Sequence, residues 1–477
     1  FWVRGVQLLT MAILARLLRP EDFGLVGMVV VVVNLAQILT ELGMGEALIQ
    51  RDDMDEAHMS TAFWSTVVMG LAVFLLLNAL AGAIAGFYAQ PALRPIVRVV
   101  ALLFLISPWG AVHRALLRRD LKLRKLTMVE ASASVVSAVV AILMAWAGFG
   151  VWSLVGRNLA LGLATVVGLW WVMRWRPRLQ WRRDRFRQLF GFSANVLGAR
   201  FVGYLNTNLD YLIIGKFIGA AELGIYTMAF TLARMPRRYL ADIVNAVAFP
   251  AFSRAGRERV GRAYLKTVSR TALIALPVVA VVSVLAPELV AVVLGAKWQD
   301  AVLPLQLLTA ASAVGTMATL SRSVFLSSGR ADIQMRWQVF LLLTLVPTLA
   351  IGARWGINGI AAALALRALL MWPLQQAIVK RLAGVRWRDY LAAIRPGLTL
   401  FLLIYLLLAL LRFSNSAWVH ATPILYLSVA AAMTAICGFL GIRLLAPGLL
   451  EDVLLLLPGP WAARLHFLRP PRGHKLP

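Results

Sequence analysis

Charged and polar residues recur at helical spacing inside a stretch that is otherwise apolar. Arg234, Arg238 and Asp242 lie four residues apart, with Arg237 and Asn245 beside them. Residues three or four apart share one face of a helix. Guanidinium groups stay charged when partly desolvated and bind phosphate oxygens through paired hydrogen bonds. This face is therefore a candidate anion-binding surface.

Two other segments carry polar residues at similar spacing. Asn34, Gln37 and Glu41 recur at intervals of three and four in one apolar stretch. Residues 190–215 hold a second stripe, bordered by Arg200. Its members are Asn195, Ala199, Gly203, Asn206 and Asp210. Because a buried polar group costs free energy unless it meets water or a partner, we expect each face to line a wet cavity.

Other charged residues in apolar segments have a structural alternative. They could form ion pairs between helices, or reach water from a helix end. Asp210 and Lys216 could form such a pair. For Arg157, Arg322 and Arg367 both interpretations stay open, because sequence places helix edges only roughly.

Patterns typical of catalysis are absent from the sequence. The histidines have no metal-ligand spacing, and there is no GxxxxGK[ST] loop to cradle a nucleotide phosphate. Cys437 is the single cysteine, which excludes a disulfide within the chain. We therefore expect no enzyme activity, no cofactor and no metal site.

The composition indicates which elements position these residues. Of the 477 residues, 61% are hydrophobic and 14% charged, and mean hydropathy is +0.79. Apolar runs of about 20 residues, enough to cross a bilayer, recur throughout. They predict an all-α polytopic membrane protein with about fourteen transmembrane helices. The predicted spans are 1–18, 24–48, 60–87, 94–113, 127–148, 151–173, 190–215, 223–249, 268–294, 303–328, 336–353, 356–379, 396–412 and 422–446. Because the sequence opens at Phe1 with a short run, we expect the native chain to begin upstream.

The net charge of +27 is bunched in short segments between apolar runs. Basic clusters fall on alternate connections, near residues 114–125, 174–187, 254–266 and 380–395. Cytoplasmic loops carry an excess of arginine and lysine, so both termini are predicted to be cytoplasmic. Since no basic folded domain is present, nucleic acid is not an expected partner.

An internal repeat relates the two halves of the chain at an offset of 200 residues. ARLLRPEDFGLVGM at 15–28 aligns without gaps with GKFIGAAELGIYTM at 215–228. At this offset Asn34 corresponds to Arg234 and Gln37 to Arg237, so the polar faces coincide. The repeat predicts two pseudo-symmetric six-helix lobes related about the membrane normal. The predicted divisions are an N-lobe at 1–187, a C-lobe at 188–382, and two further helices with a cytoplasmic tail at 383–477.

Several motifs resemble one family of membrane transporters. They are LARLLRPEDFGLVGM, ELGMGEALIQR, STAFW, NLDYLIIGKFIGAAELGIY, FPAFSR, LAPELVAVVLGAKW and LSSGRADI. Up to about residue 400, the chain resembles the polysaccharide transporter, or oligosaccharide flippase, family of the multidrug/oligosaccharidyl-lipid/polysaccharide flippase superfamily. Within it, the chain is most similar to exporters of exopolysaccharide, colanic-acid and O-antigen repeat units.

The resemblance implies a fold and a function. It implies two six-helix lobes around a V-shaped cavity, two added C-terminal helices, and alternating access in the bacterial inner membrane. The implied substrate is a polyprenyl-pyrophosphate-linked oligosaccharide for lipopolysaccharide or exopolysaccharide biosynthesis. A coupling cation and a polysaccharide polymerase are further partners consistent with it. The NLDxxxxGR-like motif of the family is matched through Asp210, with Lys216 in its last place, and Arg4 resembles the cavity arginine of lipid II flippases.

Other functions in the same membrane setting remain alternatives. A cation-coupled multidrug exporter of this superfamily should have an acidic cavity, which the Arg234, Arg237 and Arg238 cluster disfavours. A lipid II flippase of the superfamily is a second alternative. A membrane-embedded polymerase or ligase should display a large extracytoplasmic loop, whereas the connections predicted on that side are short.

Overall fold

A computed structural model describes residues 2–41, 44–50, 53–235, 256–414 and 423–445. These parts of the chain contain helices and connections and no β-strand. In chain order the helices up to residue 172 are α1 (Trp2–Leu17), α2 (Pro20–Glu41), α3 (Met44–Gln50), α4 (Glu56–Tyr88), α5 (Leu93–Val100), α6 (Leu103–Ile106), α7 (Pro108–Arg119), α8 (Leu123–Trp146) and α9 (Val151–Val172).

The second half of the chain is helical in the same way. Its α-helices are α10 (Arg183–Phe217), α11 (220–235), α12 (Gly256–Leu289), α13 (Val302–Ser327), α14 (Ala331–Gly352), α15 (Gly356–Ala383), α16 (Trp387–Ser414) and α17 (Pro423–Leu445). A π-helical turn at Val290–Leu294 and a 3-10 helix at Ala296–Ala301 connect α12 to α13.

The polytopic all-α class predicted from sequence is confirmed. Every predicted apolar segment overlaps a helix at least in part. Among the described residues, eight helical segments are long and apolar enough to cross a membrane. A bent pair, Leu93–Ile106 with Pro108–Arg119, would make nine if it forms one span. The total of fourteen spans stays a prediction.

The structure corrects the single helix predicted at 94–113. This segment is broken into α5, α6 and α7, and its two parts meet at an angle of 47°. Pro108 is the first residue of α7 and has no N–H to continue the preceding helix. At Gly70 of α4, a Cβ would lie 2.3 Å from the Phe104 carbonyl oxygen. A glycine on α4 therefore lets that helix approach the break.

Helix ends also differ from the predicted spans, because helices continue beyond the apolar runs. Arg183, Arg185 and Arg187 were predicted to lie in a connection but form the start of α10, which has 35 residues. Such a helix is about 52 Å long, against a hydrocarbon core of about 30 Å. Hydropathy marks where the bilayer ends, and backbone hydrogen bonding can continue past that point.

By contacts, the chain forms two compact units. The first comprises Phe1–Met228 with Trp337–Ile360, and the second Ala229–Arg336 with Ala361–Pro477. In the second unit α12 packs against α13, α16 and α17. A Cβ at Gly397 of α16 would lie 2.6 Å from the Ala272 backbone, so α16 and α12 are in close contact there.

Buried polar side chains link the helices of the second unit. The Tyr264 hydroxyl donates to Gln376 Oε1 at 2.7 Å, and Gln376 Nε2 donates to Ser321 Oγ at 3.3 Å. The Trp372 indole donates to the Tyr390 hydroxyl at 3.0 Å, and the Tyr390 ring stacks on Tyr264. Satisfied networks of this kind fix the relative register of packed helices.

Candidate functional site

The α10 stripe provides the best-defined polar site within the first unit. Asp210 is buried, with 5% of its surface exposed. Its carboxylate accepts a hydrogen bond from the Tyr226 hydroxyl of α11 at 2.6 Å and one from the Tyr211 backbone N–H at 3.0 Å. Hydrogen bonds to an ionised carboxylate are among the stronger ones in proteins. The stripe is thus connected to α11 through a carboxylate.

One turn earlier, Asn206 links α10 to α14. Its amide nitrogen donates to the Gln338 carbonyl oxygen at 2.9 Å, and Gln338 Oε1 lies 3.3 Å away. The same nitrogen lies 3.1 Å from the Val202 carbonyl of its own helix. Gln338 was missed from sequence, although it lies near the start of the predicted span 336–353 and one turn after Gln334, and that spacing was the available signal.

The stripe also meets the polar face of α2. The Tyr204 hydroxyl of α10 donates to the Val31 carbonyl oxygen at 2.7 Å and interacts with the Asn34 side chain. Asn34 is half-buried, whereas Gln37 is exposed. Asn34 of α2 therefore contacts the helix that carries Asn206 and Asp210. Tyr204 and Tyr226 also belong to this polar site, and sequence reasoning missed both. Arg200 is half-buried two turns before Asn206.

The possible ion pair between Asp210 and Lys216 stays a prediction, because the described contacts of Lys216 are with another residue. Lys216 donates to the Phe87 carbonyl oxygen, and its ammonium group lies 5.1 Å from the centre of the Phe87 ring. Six residues along a helix correspond to about 240° of rotation, so the two side chains leave α10 in different directions. The described contacts of Lys216 are with α4, and those of Asp210 with another helix include α11.

The internal repeat forms a symmetric crossing between α2 and α11. A Cβ at Gly24 would lie 1.7 Å from the Ala220 carbonyl oxygen, and a Cβ at Gly224 would lie 1.8 Å from the Pro20 carbonyl oxygen. Residues 20 and 220 correspond in the repeat, as do 24 and 224, so each copy makes the same contact with the other. Glycine is required at both positions because any side chain would collide with backbone.

The arginine-rich face is only partly described. Arg234 on α11 is half-buried, and its guanidinium lies 4.6 Å from the centre of the Phe230 ring. This distance is within the range of a cation–π interaction. The other predicted members of this face lie outside the described residues, namely Arg237, Arg238, Asp242 and Asn245. Arg4, Glu41 and Asn195 lie on α1, α2 and α10, but their side chains are outside the described part, so their predicted role stays a prediction.

The three arginines that sequence left open differ in their described environment. Arg157 of α9 is half-buried, and its Nε has no hydrogen-bond partner in the described structure. Arg367 of α15 is also half-buried and does have an interaction. Arg322 of α13 is exposed. Arg157 does not join the α10 stripe in any described contact.

A second polar network attaches the α9–α10 connection to α4. The Trp64 indole donates to the Arg178 carbonyl at 2.8 Å, while the Arg178 N–H donates to Ser60 Oγ at 3.1 Å. The Arg182 N–H donates to Thr61 Oγ1 at 3.2 Å. These contacts hold the basic connection on one end of the first unit.

The start of α4 carries the charged part of this network. Asp55 accepts a hydrogen bond from the His58 backbone N–H at 2.8 Å, and its carboxylate lies 2.6 Å from His58 Nδ1 and 2.8 Å from Arg185. Burial raises the pKa of the Asp55 carboxyl, but hydrogen bonds from His58 and the charges of His58 and Arg185 outweigh it and hold that pKa below its ordinary value. His58 Nε2 lies 3.1 Å from Gln188 Oε1 of α10. Asp55 thus caps α4 and links it to α10.

The side chains of the α10 stripe can bind a ligand. It offers one buried carboxylate, two tyrosine hydroxyls and amide groups. Across the described ranges, no three His, Cys, Asp or Glu side chains are grouped closely enough to hold a metal ion. A single carboxylate among hydroxyl and amide groups suits a monovalent cation, a proton or a polar substrate group.

Comparison with known proteins relates this arrangement to one family. A sequence profile described as "Polysaccharide biosynthesis protein" matches residues 13–303, or 291 of 477 residues. The teichuronic acid biosynthesis protein TuaB of Bacillus subtilis is 32% identical over 312 residues, 65% of this chain and 65% of TuaB. The match therefore spans just under two thirds of TuaB. The lipopolysaccharide biosynthesis protein WzxC of Escherichia coli is 26% identical over 397 residues, 82% of this chain and 80% of WzxC.

A solved structure supports the fold. The lipid II flippase MurJ, in an inward closed conformation, superimposes with a TM-score of 0.74 at 13% identity. The superposition covers 93% of this chain and 98% of MurJ. At this identity the likeness speaks for the fold alone. Because the sequence profile matches more than half of its residues, this chain belongs to the polysaccharide biosynthesis protein family, the transporter family that its motifs resemble.

Proposed function

We propose that this chain is a flippase that moves polyprenyl-pyrophosphate-linked oligosaccharide repeat units across the bacterial inner membrane by alternating access. The exported repeat units would be used in lipopolysaccharide or exopolysaccharide biosynthesis. The family match over residues 13–303 carries this proposal, because that region contains the repeat, the α10 stripe and the whole of α2 to α12. The two relatives described above are both named for the biosynthesis of cell-surface polysaccharides.

The arginine-rich face is the proposed site for the substrate pyrophosphate. Arg234 lies on α11, and α11 crosses α2 at the repeat-related pair Gly24 and Gly224. The α2 position that corresponds to Arg234 is Asn34, which interacts with Tyr204. The two copies of the repeat therefore carry polar residues at corresponding sequence positions. The remaining proposed members are Arg237, Arg238, Asp242, Asn245, Gln37, Glu41, Asn195, Arg200 and Arg4.

Asp210 is the proposed residue for a coupling cation. Its carboxylate is buried and accepts a hydrogen bond from the Tyr226 hydroxyl. The carboxylate could give up this hydrogen bond and bind a proton or a sodium ion in its place. A carboxylate between α10 and α11 would link ion binding to the packing of these helices. A polysaccharide polymerase is a further proposed partner, because an exported repeat unit must be polymerised.

The proposed membrane arrangement follows the charge pattern. Both termini are placed in the cytoplasm, with the clusters near 114–125 and 174–187 on the same side. The proposed lobes are residues 1–187 and 188–382, followed by two helices in 383–477. No described contact favours the alternative functions, which are a multidrug exporter, a lipid II flippase and a polymerase. The likeness to MurJ does not favour a lipid II flippase, because it is a likeness of fold.

Transport can be measured in reconstituted vesicles with a fluorescent polyprenyl-pyrophosphate oligosaccharide. We expect the labelled lipid to change leaflets without ATP, and faster when the potential drives the anion outward. Moving two elementary charges across 100 mV changes the free energy by roughly 4 to 5 kcal/mol. Movement equal to that in protein-free vesicles would contradict the proposed function.

The same assay tests the anion site. Replacing both Arg234 and Arg238 by alanine should abolish movement, because the pyrophosphate would lose two charge-assisted contacts. Arg124→Ala is the matched control, since Arg124 is an exposed arginine at the start of α8. Full activity in the double variant would exclude this face as the substrate site while leaving the flippase proposal intact.

A further inference from the structure

A cavity of about 180 Å³ lies between α3, α4 and α7 in the first unit. Most of its wall is apolar or small. Two arginines of α7, Arg114 and Arg118, complete the lining and stand one helical turn apart. Arg114 is half-buried and Arg118 is exposed. The lining therefore combines an apolar pocket with two cations that reach from its wall to solvent.

The cations of this cavity lack the kind of ion pair that Lys122 forms nearby. Arg114 Nε is buried and has no hydrogen-bond partner, and neither Arg114 nor Arg118 forms an ion pair within the described chain. By contrast, Lys122 in the following connection pairs with Asp120 at 2.7 Å. Leaving a buried donor unpaired costs free energy, and the cost is larger for a charged group. An anionic oxygen beside Arg114 would remove this cost.

The other wall residues indicate what else the ligand contains. Leu48 and Ile49 of α3 face the cavity together with Ala62 and Val112. A free inorganic anion would leave these apolar side chains without a matching partner. A lipid carries a phosphate next to apolar chains, and basic pockets between transmembrane helices bind anionic headgroups at the cytoplasmic surface. The basic cluster that begins at Arg114 is predicted to lie on that surface.

We propose that this cavity binds the phosphate headgroup of an anionic phospholipid of the surrounding bilayer. Arg114 and Arg118 contact the phosphate oxygens, and the first methylene groups of the chains lie against α3. The site is separate from the α10 stripe and does not rest on the proposed transport function. It would hold α3, α4 and α7 together through a bound lipid.

Gly45 provides a second way to test the site. It lies on α3 and lines the cavity, and a Cβ placed there would meet no atom within 4 Å. Glycine inside a helix is less favourable than residues with a Cβ, so the helix backbone at this position tolerates a larger residue. Gly45→Leu should therefore fill the cavity while leaving both arginines in place.

The experiment measures lipid retained by the purified full-length chain. Protein in nanodiscs of phosphatidylcholine with a minor fraction of phosphatidylglycerol is extracted gently, and bound lipid is counted by native mass spectrometry. We expect phosphatidylglycerol to be enriched on the wild type. Replacing both arginines, as Arg114→Gln with Arg118→Gln, should reduce this enrichment about tenfold or more, from the loss of charge-assisted hydrogen bonds. Gly45→Leu should reduce it similarly, whereas Arg124→Gln should leave it unchanged.

Each outcome decides the proposal. Equal enrichment in the double arginine variant and in Arg124→Gln would overturn it. If the double variant does not fold, unchanged lipid binding by Gly45→Leu would overturn it instead. Adding inorganic phosphate distinguishes a lipid headgroup from a free phosphate ion as the bound anion. Displacement of the lipid by phosphate at equal concentration would identify a free-anion site and exclude the lipid.

Discussion

At the scale of single residues, Asp210 shows what spacing can and cannot predict. Helical spacing placed Asp210 and Asn206 on one polar stripe, and both side chains do have polar partners. The partners themselves, Tyr226 and Gln338, lie on other helices, and their choice depends on packing between segments distant in sequence. The possible pair of Asp210 with Lys216 stays a prediction, since the described contacts of Lys216 are with Phe87.

Removing the Tyr226 hydroxyl tests the importance of this carboxylate contact. Tyr226→Phe leaves a buried carboxylate with one fewer donor, so we expect the free energy of unfolding to fall by about 1–3 kcal/mol. Thermal unfolding of the detergent-purified protein measures this loss. Tyr405→Phe is the control, because the Tyr405 side chain is 40% exposed and should be insensitive. Equal stability of Tyr226→Phe and the control would show that the contact contributes little.

At the scale of helices, the two copies of the internal repeat are in direct contact. Sequence alignment predicted that residues 15–28 correspond to 215–228, and the structure shows the two copies packed together at Gly24 and Gly224. The alignment alone could not show that the matched glycines touch, because repeats can lie far apart. Helix edges were predictable only where apolar runs end, and the break before Pro108 was missed although the proline was visible.

Substitution at the glycine crossing tests its close packing. A Cβ at Gly224 would lie 1.8 Å from a backbone oxygen, so Gly224→Ala forces the helices apart and should destabilise the protein by about 1–3 kcal/mol. Gly24→Ala should act in the same direction because its contact is the symmetric one. Gly82→Ala is the matched control, since a Cβ there meets no atom within 4 Å, and it should be neutral or slightly stabilising. A stable Gly224→Ala variant would mean that the crossing is looser than described.

At the scale of the whole molecule, class and family were predictable, whereas contacts between distant segments were not. Long apolar runs specify membrane helices wherever they occur, so the all-α polytopic class follows from hydropathy. The motifs added the family, which the sequence profile confirms. Residues 337–360 group with the first compact unit, and Asn206 contacts Gln338 in that group. Such an association depends on side-chain partners that the apolar pattern does not encode.

Orientation is the molecular property that the charge pattern predicts most directly. In a background with Cys437→Ser, a cysteine at Gln90 or Lys297 should react with a membrane-impermeant maleimide in intact cells, because both residues lie on sparsely charged connections. A cysteine at Arg183 should react only after permeabilisation, since the basic cluster around it is retained in the cytoplasm. Arg183 is exposed, so burial would not mask the reaction. Labelling of Arg183→Cys from outside, with protection of the other two, would reverse the orientation and place both termini on the outer side.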